Sequence, residues 1–236
     1  MLINSEGAAG IMKDIAQTQS FKDFSIYNYI YIDKTEQIYN LLKTRRVFIS
    51  RPRRFGKSLM LDTIGTLFAE GVDPYFKDTW IHDRWTDRKY PVLRLNFLDY
   101  LGDFDEFRKL LFRDIAFFAG KLGLPEAIAG DSEPHEAILD LLRALDDRNE
   151  SIVVLIDEYD AELTASINAP ELYERFRVAI RALYGAMKGK RCIRFLCVTG
   201  VTRLKDVSIF SVGSDIKDLS YHSPVSAITG FDRDEI

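Results

Sequence analysis

Three consecutive residues, Gly56, Lys57 and Ser58, have the types needed to bind a phosphate chain. They directly follow the apolar run 47–49 and directly precede the stretch 59–68, which repeats apolar residues at helical spacing. In this order of strand, loop and helix, backbone N–H groups at the helix N-terminus face an anion, while the lysine adds a cation and the hydroxyl a metal ligand. The triplet therefore predicts a phosphate-binding loop.

A second group of residues suited to chemistry, Asp157 and Glu158, ends the continuous apolar run 152–156. Such a run is typical of a strand buried on both faces, which delivers its last side chains at the carboxyl edge of a sheet. Taken alone, the two acids could equally be a solvated strand end. Because they follow a phosphate-binding loop on the same chain, they predict a P-loop site for nucleotide hydrolysis.

The two motifs divide the expected chemistry between them. Lys57 is expected to place its ammonium group on the β- and γ-phosphates, and Ser58 to offer its hydroxyl to Mg²⁺. Asp157 is expected to hold the same ion, partly through water. Glu158 would face away from Asp157 if the strand continued, so we assign it the separate role of general base toward the attacking water. The expected cofactors are ATP and Mg²⁺, since no Asn-Lys-x-Asp segment is present to select guanine.

The loop departs from the usual G-x-x-x-x-G-K-[ST] pattern at its first position, which holds Arg51. Pro52 removes one backbone N–H, but the amides that normally touch phosphate come later, so the cradle is expected to survive. Arg53 and Arg54 add two cations that could contact the nucleotide, bind nucleic acid or pair with acids elsewhere. The residues expected to contact the nucleotide are Arg54, Phe55, Gly56, Lys57, Ser58 and Leu59.

The elements that must position these residues alternate along the chain. Predicted strands cover 47–50, 92–97, 152–158 and 193–198, and predicted helices cover 58–70, 104–122, 134–145 and 171–187. Ahead of them, residues 27–32 predict a short strand, and Asp33 with Glu36 predicts a capping box for a helix ending at Leu42. The alternation predicts an α/β fold with a mostly parallel sheet, helices on both faces and ligands at the carboxyl ends of the strands.

Four segments together resemble the successive motifs of the predicted AAA-ATPase-like family of prokaryotic proteins. They are YIDKTE from Tyr31, SRPRRFGKSL from Ser50, LIDEYD from Leu155 and VTGVTR from Val198. The resemblance implies a P-loop NTPase fold of the additional-strand, catalytic-glutamate type, with a five-stranded sheet. Members often carry a restriction-endonuclease-like nuclease domain further along, which makes such a downstream domain a candidate partner in a full-length protein.

The resemblance also implies roles after the fourth predicted strand. A polar residue at the end of the strand beside the Asp157 strand would sense the γ-phosphate, which suits Thr199, with Thr202 as the alternative. Arg203 resembles the sensor arginine of signal-transducing ATPases, although it could also be a surface arginine. Tyr31 and Phe55 could cover the adenine, but aromatic residues more often belong to the core.

The chain is expected to divide into three parts: a leader over 1–24, which could be mobile, a P-loop ATPase core over 25–230, and a further segment over 231–236. Residues 215–219 are expected to supply the fifth strand of the core. The last segment resembles the first turn of a C-terminal lid or further domain, which in related ATPases closes over the nucleotide and excludes water. A chain without that lid is expected to bind ATP weakly and hydrolyse it slowly.

Composition excludes several other classes of protein. The 236 residues carry 32 Lys+Arg against 36 Asp+Glu, a formal net charge of -4. This balance gives no support to nucleic-acid binding through overall charge, so a nucleic-acid partner stays possible but unsupported. The chain has no apolar run long enough to cross a membrane and no secretory signal at its start, which predicts a cytoplasmic protein. Cys192 and Cys197 are expected to be reduced core thiols.

Three functions remain open from the sequence. The leading one is an ATP hydrolase whose turnover drives a conformational change in a partner or an attached domain. The second is a switch that holds ATP or ADP and hydrolyses rarely, and the candidate base Glu158 favours the hydrolase over it. The third, a phosphotransferase, needs an acceptor pocket and an acceptor-side base that the sequence does not reveal.

Overall fold

Runs of apolar and β-branched residues form the first four strands, the fifth strand is a charged pair, and amphipathic segments form the longer helices between the strands. The computed structural model describes residues 14, 18–130, 132–202, 215–222 and 227–230. The strands are β1 (Arg46–Ser50), β2 (Val92–Asn96), β3 (Ile152–Asp157), β4 (Ile193–Gly200) and β5 (Lys217–Asp218). The helices are α1 (Phe21–Ile26), α2 (Thr35–Leu41), α3 (Lys57–Glu70), α4 (Phe104–Lys121), α5 (Pro134–Asp147), α6 (Ala161–Ala165) and α7 (Pro170–Met187), with 3₁₀ turns at Phe97–Tyr100 and Pro125–Ala127.

The strands form one five-stranded sheet in the order β2-β3-β4-β1-β5. Every pair is parallel. The predicted α/β fold with a parallel five-stranded sheet is therefore confirmed. Strand β4 lies between the strand that leads into the phosphate loop and the strand that carries the two acids. This insertion is the additional strand that the resemblance implied, and it brings the end of β4 into the site.

The central strands are buried on both faces, which explains their continuous apolar runs. Along β3, Val154 and Ile156 belong to the core that also contains α4, α5 and α7, whereas Val153 and Leu155 belong to the core around α3. Successive side chains of a strand point to opposite faces, so helices must cover both sides of the sheet. The carboxyl ends of the strands are left as the edge where polar side chains can meet.

The boundaries of the site-bearing helix follow from local sequence signals. Helix α3 begins at Lys57 directly after Gly56, which has a φ of 78°. It ends at Gly71, again with a φ of 78°, and the Gly71 amide donates to the Leu67 carbonyl. Glycine adopts this left-handed conformation without a steric cost, so both ends are defined by the sequence.

The predicted strand over 27–32 is wrong. Helix α1 ends at Ile26, and the region that follows is irregular apart from an isolated bridge between Tyr29 and Asp14. The aromatic residues here serve packing: the Tyr31 ring contacts the edges of Phe21 and Phe24. Phe21 is only 2% exposed, so part of the segment that we expected to be a leader packs on the core.

The predicted capping box at Asp33 is also wrong. The cap of α2 is Lys34, and Asp33 lies one residue earlier. One Asp33 carboxylate oxygen accepts from the Thr35 amide at 2.8 Å, and the other accepts from the Trp80 amide at 2.6 Å. Asp33 therefore ties the start of α2 to the aromatic segment after α3, a long-range contact that no local pattern reveals.

The two cysteines are buried and form no disulfide, as expected. Burial raises the pKa of Cys192 to about 12 and raises the pKa of Cys197 further above its usual range. Thiols of this kind react poorly because the thiolate is rarely formed. None of the described helices is long and apolar enough to cross a membrane.

One buried carboxyl makes the stability of the fold depend on pH. Glu162 in α6 is 2% exposed, accepts a hydrogen bond from the Gly102 amide at 3.2 Å, and has its pKa raised by burial from 4.5 to about 7. The folded state thus holds its proton more tightly than the unfolded chain, so this contribution to stability is present below about pH 4.5 and is lost as pH rises through about 7.

Glu162→Gln is expected to keep the hydrogen bond and remove this pH dependence. The free energy of unfolding of the variant, relative to that of the parent, should increase as pH rises from about 5 to about 8. The increase should be on the order of 3 kcal/mol at most. Chemical denaturation at both pH values measures the difference. Glu126→Gln, an exposed control, should track the parent. A Glu162→Gln advantage that is equal at both pH values would contradict the argument.

Candidate functional site

The loop between β1 and α3 has the backbone shape of an anion cradle. Arg54 and Gly56 both adopt left-handed φ values, 67° and 78°. These turns lead directly into the first turn of α3, whose N–H groups have no acceptor within the helix. The helix dipole adds positive potential at the same point. Residues 54–57 thus form the turn and the helix start that the sequence predicted here, and phosphate binding by them stays a prediction.

Arg51, at the position that glycine usually occupies in such loops, fastens the loop to its neighbours. Its amide donates to the Gly200 carbonyl at 3.1 Å, which joins the loop to the end of β4. Its guanidinium donates to the Ser50 carbonyl at 3.0 Å and to the Ser220 carbonyl. The guanidinium also lies over the ring of Tyr221, 6.0 Å from its centre. The arginine thus anchors the loop across β1 to the segment after β5.

The tip of the loop is exposed and cationic. Arg53 and Arg54 are exposed, and within the described ranges neither has an ion-pair partner. Phe55 is 44% exposed, and its carbonyl accepts from the Gly230 amide at 3.1 Å. The side chain of Leu59 packs against the core around α3, so only its backbone can face a nucleotide. The guanidinium groups of Arg53 and Arg54 therefore lie at the exposed tip of the loop, without an ion pair to any described residue.

Lys57 is held inside the loop. It is 3% exposed, and its ammonium donates to the carbonyls of Arg51 at 3.1 Å and Pro52 at 3.2 Å. The carboxylate of Glu158 lies 3.4 Å from the same nitrogen. A buried ammonium needs such partners because the desolvation of a charge is costly. Phosphate oxygens entering the loop would compete with these three acceptors for the Lys57 ammonium.

Asp157 lies where β3, α3 and β4 meet. Its Oδ2 accepts from the Ser58 hydroxyl at 2.6 Å. Its Oδ1 accepts from the Thr199 hydroxyl and from the Glu158 amide, the latter at 3.0 Å. The structure thus brings together the predicted metal ligands, Ser58 and Asp157, with the predicted sensor Thr199. Thr199 is fully buried, which distinguishes it from the alternative, Thr202.

The donor set fits Mg²⁺. The Ser58 hydroxyl and the Asp157 carboxylate offer two hard oxygen ligands 2.6 Å apart. No group of three His, Cys, Asp or Glu side chains with metal-binding spacing occurs in the described part of the chain. A site with two protein ligands leaves most coordination positions of the ion to water and phosphate oxygens. That is the arrangement in which proteins usually hold Mg²⁺.

Glu158 does not continue the strand. Strand β3 ends at Asp157, and Glu158 has a φ of 49°. Our expectation that Glu158 faces away from Asp157 rested on continued strand geometry, and that premise is wrong. The left-handed turn directs the carboxylate toward Lys57 instead. A non-glycine residue in this region of φ is uncommon, and strained residues of this kind cluster at functional sites.

Sequence reasoning missed Tyr159 and Asp160, which follow the candidate base. Asp160 is 2% exposed and accepts from the amides of Val201 and Thr202. The Tyr159 hydroxyl donates to the Thr202 carbonyl at 3.0 Å. The available signal was the motif LIDEYD, whose last two residues have no role assigned from the sequence alone.

Of the other predicted site residues, Tyr31 stands apart from this cluster. Tyr31 belongs to the aromatic packing around α1, and burial raises its pKa well above the usual range. This is the core role that the sequence also allowed. Arg203 lies outside the described residues, as do 204–214 and the predicted lid segment 231–236.

The chain is similar in sequence to known proteins. Residues 16–210 match a family model described as Predicted AAA-ATPase. The chain is also similar to a protein of Azotobacter chroococcum mcd 1 described as an uncharacterized protein in the vnfD 5' region. The two are 34% identical over 214 residues, which cover 89% of this chain and 41% of the relative. The chain therefore spans less than half of that relative's length.

Proposed function

The chain belongs to the AAA-ATPase-like family of predicted AAA-ATPases, and from this premise we propose that it binds ATP with Mg²⁺ and hydrolyses it to drive a conformational change in a partner or an attached domain. One observation carries the proposal. Ser58 and Thr199, from different elements, both donate to Asp157, and Glu158 and Lys57 lie beside them as an ion pair. The groups to which we assign phosphate binding, metal binding and base catalysis thus lie together at one edge of the sheet.

Each side chain has a role that its position supports. The α3 amides and Lys57 bind the phosphates, and Ser58 and Asp157 would hold the ion, which supplies positive charge to the phosphate oxygens when bound. Thr199 orients the Asp157 carboxylate by donating to it. Glu158 is the base that orients and deprotonates water. Competition of phosphate oxygens for Lys57 frees the Glu158 carboxylate from its ion pair, which links binding to activation of the base.

The same ion pair favours a second candidate function, a switch that holds ATP or ADP and hydrolyses rarely. While the Glu158 carboxylate is 3.4 Å from the Lys57 ammonium, it is committed to that charge. If the pair persists with nucleotide bound, the base is not available to water. Hydrolysis then depends on an event that separates the two side chains.

Steady-state phosphate release distinguishes the two functions. We expect the chain to release phosphate from ATP when Mg²⁺ is present and to stop when EDTA removes the ion. GTP should be a poorer substrate. ATP binding without measurable release of phosphate would favour the switch. Phosphate release that continues unchanged in EDTA would contradict the proposed site. The conformational change in a partner or an attached domain is a separate proposal. It is motivated by the relative, which extends well beyond the matched region.

Asp157→Ala is expected to weaken ATP binding only where Mg²⁺ contributes to it. The substitution removes a metal ligand and leaves the Lys57 ammonium and the loop amides in place, so binding in EDTA should be near that of the parent. Calorimetric titration with ATP in Mg²⁺ and in EDTA measures both arms. Asp147→Ala, a control at the far end of α5, should match the parent in both. An equal loss in both arms would mean that Asp157 supports the loop rather than the ion.

A further inference from the structure

The two residues after the candidate base are bonded to the loop after β4. The Tyr159 amide donates to the Thr199 carbonyl at 3.1 Å, and its hydroxyl donates to the Thr202 carbonyl at 3.0 Å. The Asp160 carboxylate accepts from the Val201 amide at 3.2 Å and from the Thr202 amide at 2.5 Å. These bonds join the end of β3 to the end of β4 over residues 159–160 and 199–202. We call the bonds the strand-end latch.

Asp160 makes the latch energetically significant. It is 2% exposed, and within the described ranges no cation pairs with it. A buried carboxylate is tolerated only when hydrogen-bond donors replace its water, and bonds to an ionised acceptor are roughly twice as strong as neutral ones. The two amides of the β4 loop are those donors. The loop and the carboxylate therefore depend on one another.

Gly200 permits the close approach that the latch requires. A Cβ atom at this position would lie 2.5 Å from the Tyr159 ring and 2.6 Å from the Asp160 carboxylate. Any other residue would push the strand end away from these two side chains. The ring of Tyr159 is itself fully buried against Phe48 in β1, with centroids 5.4 Å apart. The latch thus rests on the strand that leads into the phosphate loop.

We propose that Asp160 is a positioning residue that fixes the candidate base to the candidate sensor. This inference rests on the proposed ATPase function. Thr199 and Glu158 each sit next to a latched residue, so the latch holds them in one geometry. When phosphate oxygens bind the Lys57 ammonium, Glu158 loses its ion pair and moves. The loop 200–202 then moves together with Glu158.

If Asp160 only positions the base and the sensor, its substitution should lower kcat and leave the affinity for ATP unchanged. Asp160→Asn keeps the volume and one acceptor, whereas Asp160→Ala removes both acceptors. We expect kcat to fall in the order Asp, Asn, Ala, with the Ala variant down by ~10²-fold, the size that misplacement of a catalytic group produces. The Kd for ATP should stay within ~2-fold of the parent, since no nucleotide contact is lost.

Matched controls identify effects that come from any lost buried hydrogen bond. Ser166→Ala removes a buried hydroxyl that donates to the Glu162 carbonyl in the neighbouring helix. Tyr100→Phe removes a buried hydroxyl that donates to Asp114 at 2.9 Å, far along the chain from the latch. Neither control should change kcat. Tyr159→Phe, which keeps both Asp160 bonds and the ring packing, should lower kcat relative to Tyr100→Phe.

The experiment measures phosphate release, ATP affinity and hydrogen exchange of the 199–202 peptide for the 236-residue chain and these variants. The proposal predicts faster exchange in the Asp160 variants together with the loss of kcat at constant Kd. Asp160 variants with the kcat of the controls, or with equal losses of kcat and affinity, overturn it. If Asp160→Ala does not fold, Asp160→Asn decides, because it keeps the volume of the side chain. A parent chain that neither binds nor hydrolyses ATP overturns the proposed function, and this inference with it.

Discussion

Glu158→Gln is expected to retain ATP while its turnover rate falls by ~10²-fold or more, the usual size of a general-base contribution. The amide keeps the shape of the side chain but cannot accept a proton from water. It also removes the negative charge beside the Lys57 ammonium, so the phosphates meet less competition and ATP affinity should be unchanged or stronger. Single-turnover phosphate release and equilibrium binding measure the two effects separately.

Glu150→Gln is the matched control for this substitution. Glu150 is exposed and lies just before the amino end of β3, whereas Glu158 follows its carboxyl end. The same chemical change is therefore made at the opposite end of the same strand. Its turnover and affinity should equal those of the parent. If Glu158→Gln hydrolyses ATP at the parent rate, the base lies elsewhere and the division of roles between Asp157 and Glu158 fails.

Lys57→Ala is expected to remove most ATP binding. The ammonium belongs to the one buried cation of the loop in the described structure. The loss should be on the order of 100-fold or more in Kd, because several charge-assisted hydrogen bonds disappear together. Equilibrium dialysis with labelled ATP measures it.

The packing of Lys57 requires a second variant. Lys57→Met keeps the buried aliphatic stem and removes only the charge, so a comparable loss in Met and Ala variants assigns the effect to the ammonium. Lys109→Ala, at an exposed position of α4, controls for the change in net charge. Parent-like ATP affinity in a folded Lys57→Met variant would refute the assignment of the loop.

The parts of the fold that the sequence predicted are those with local or periodic signals. Strand β3 was evident from its continuous apolar run, and α3 from the glycines at both ends. The strand predicted over 27–32 failed because its aromatic residues satisfy a strand pattern while packing against α1. Burial by a tertiary neighbour overrides local preference in such segments.

The parts of the site that the sequence could not predict depend on long-range contacts. Motif order placed Lys57, Ser58 and Asp157 together, but nothing local indicates that Glu158 leaves the strand through a left-handed turn. The bonds from Asp160 to the amides after β4 span 41 and 42 positions in sequence. The Arg51 guanidinium likewise donates to the carbonyl of Ser220, which is distant in sequence. The sheet order, with β4 between β1 and β3 and with β5 beside β1, brings these residues into contact.

The most direct test of an ATP site at the ends of β1, β3 and β4 is calorimetric titration of the 236-residue chain with ATP, with and without Mg²⁺. The arrangement of Lys57, Ser58 and Asp157 predicts saturable binding at one site per chain that Mg²⁺ strengthens. ATP that fails to bind at millimolar concentration, or that binds equally well without Mg²⁺, would contradict it.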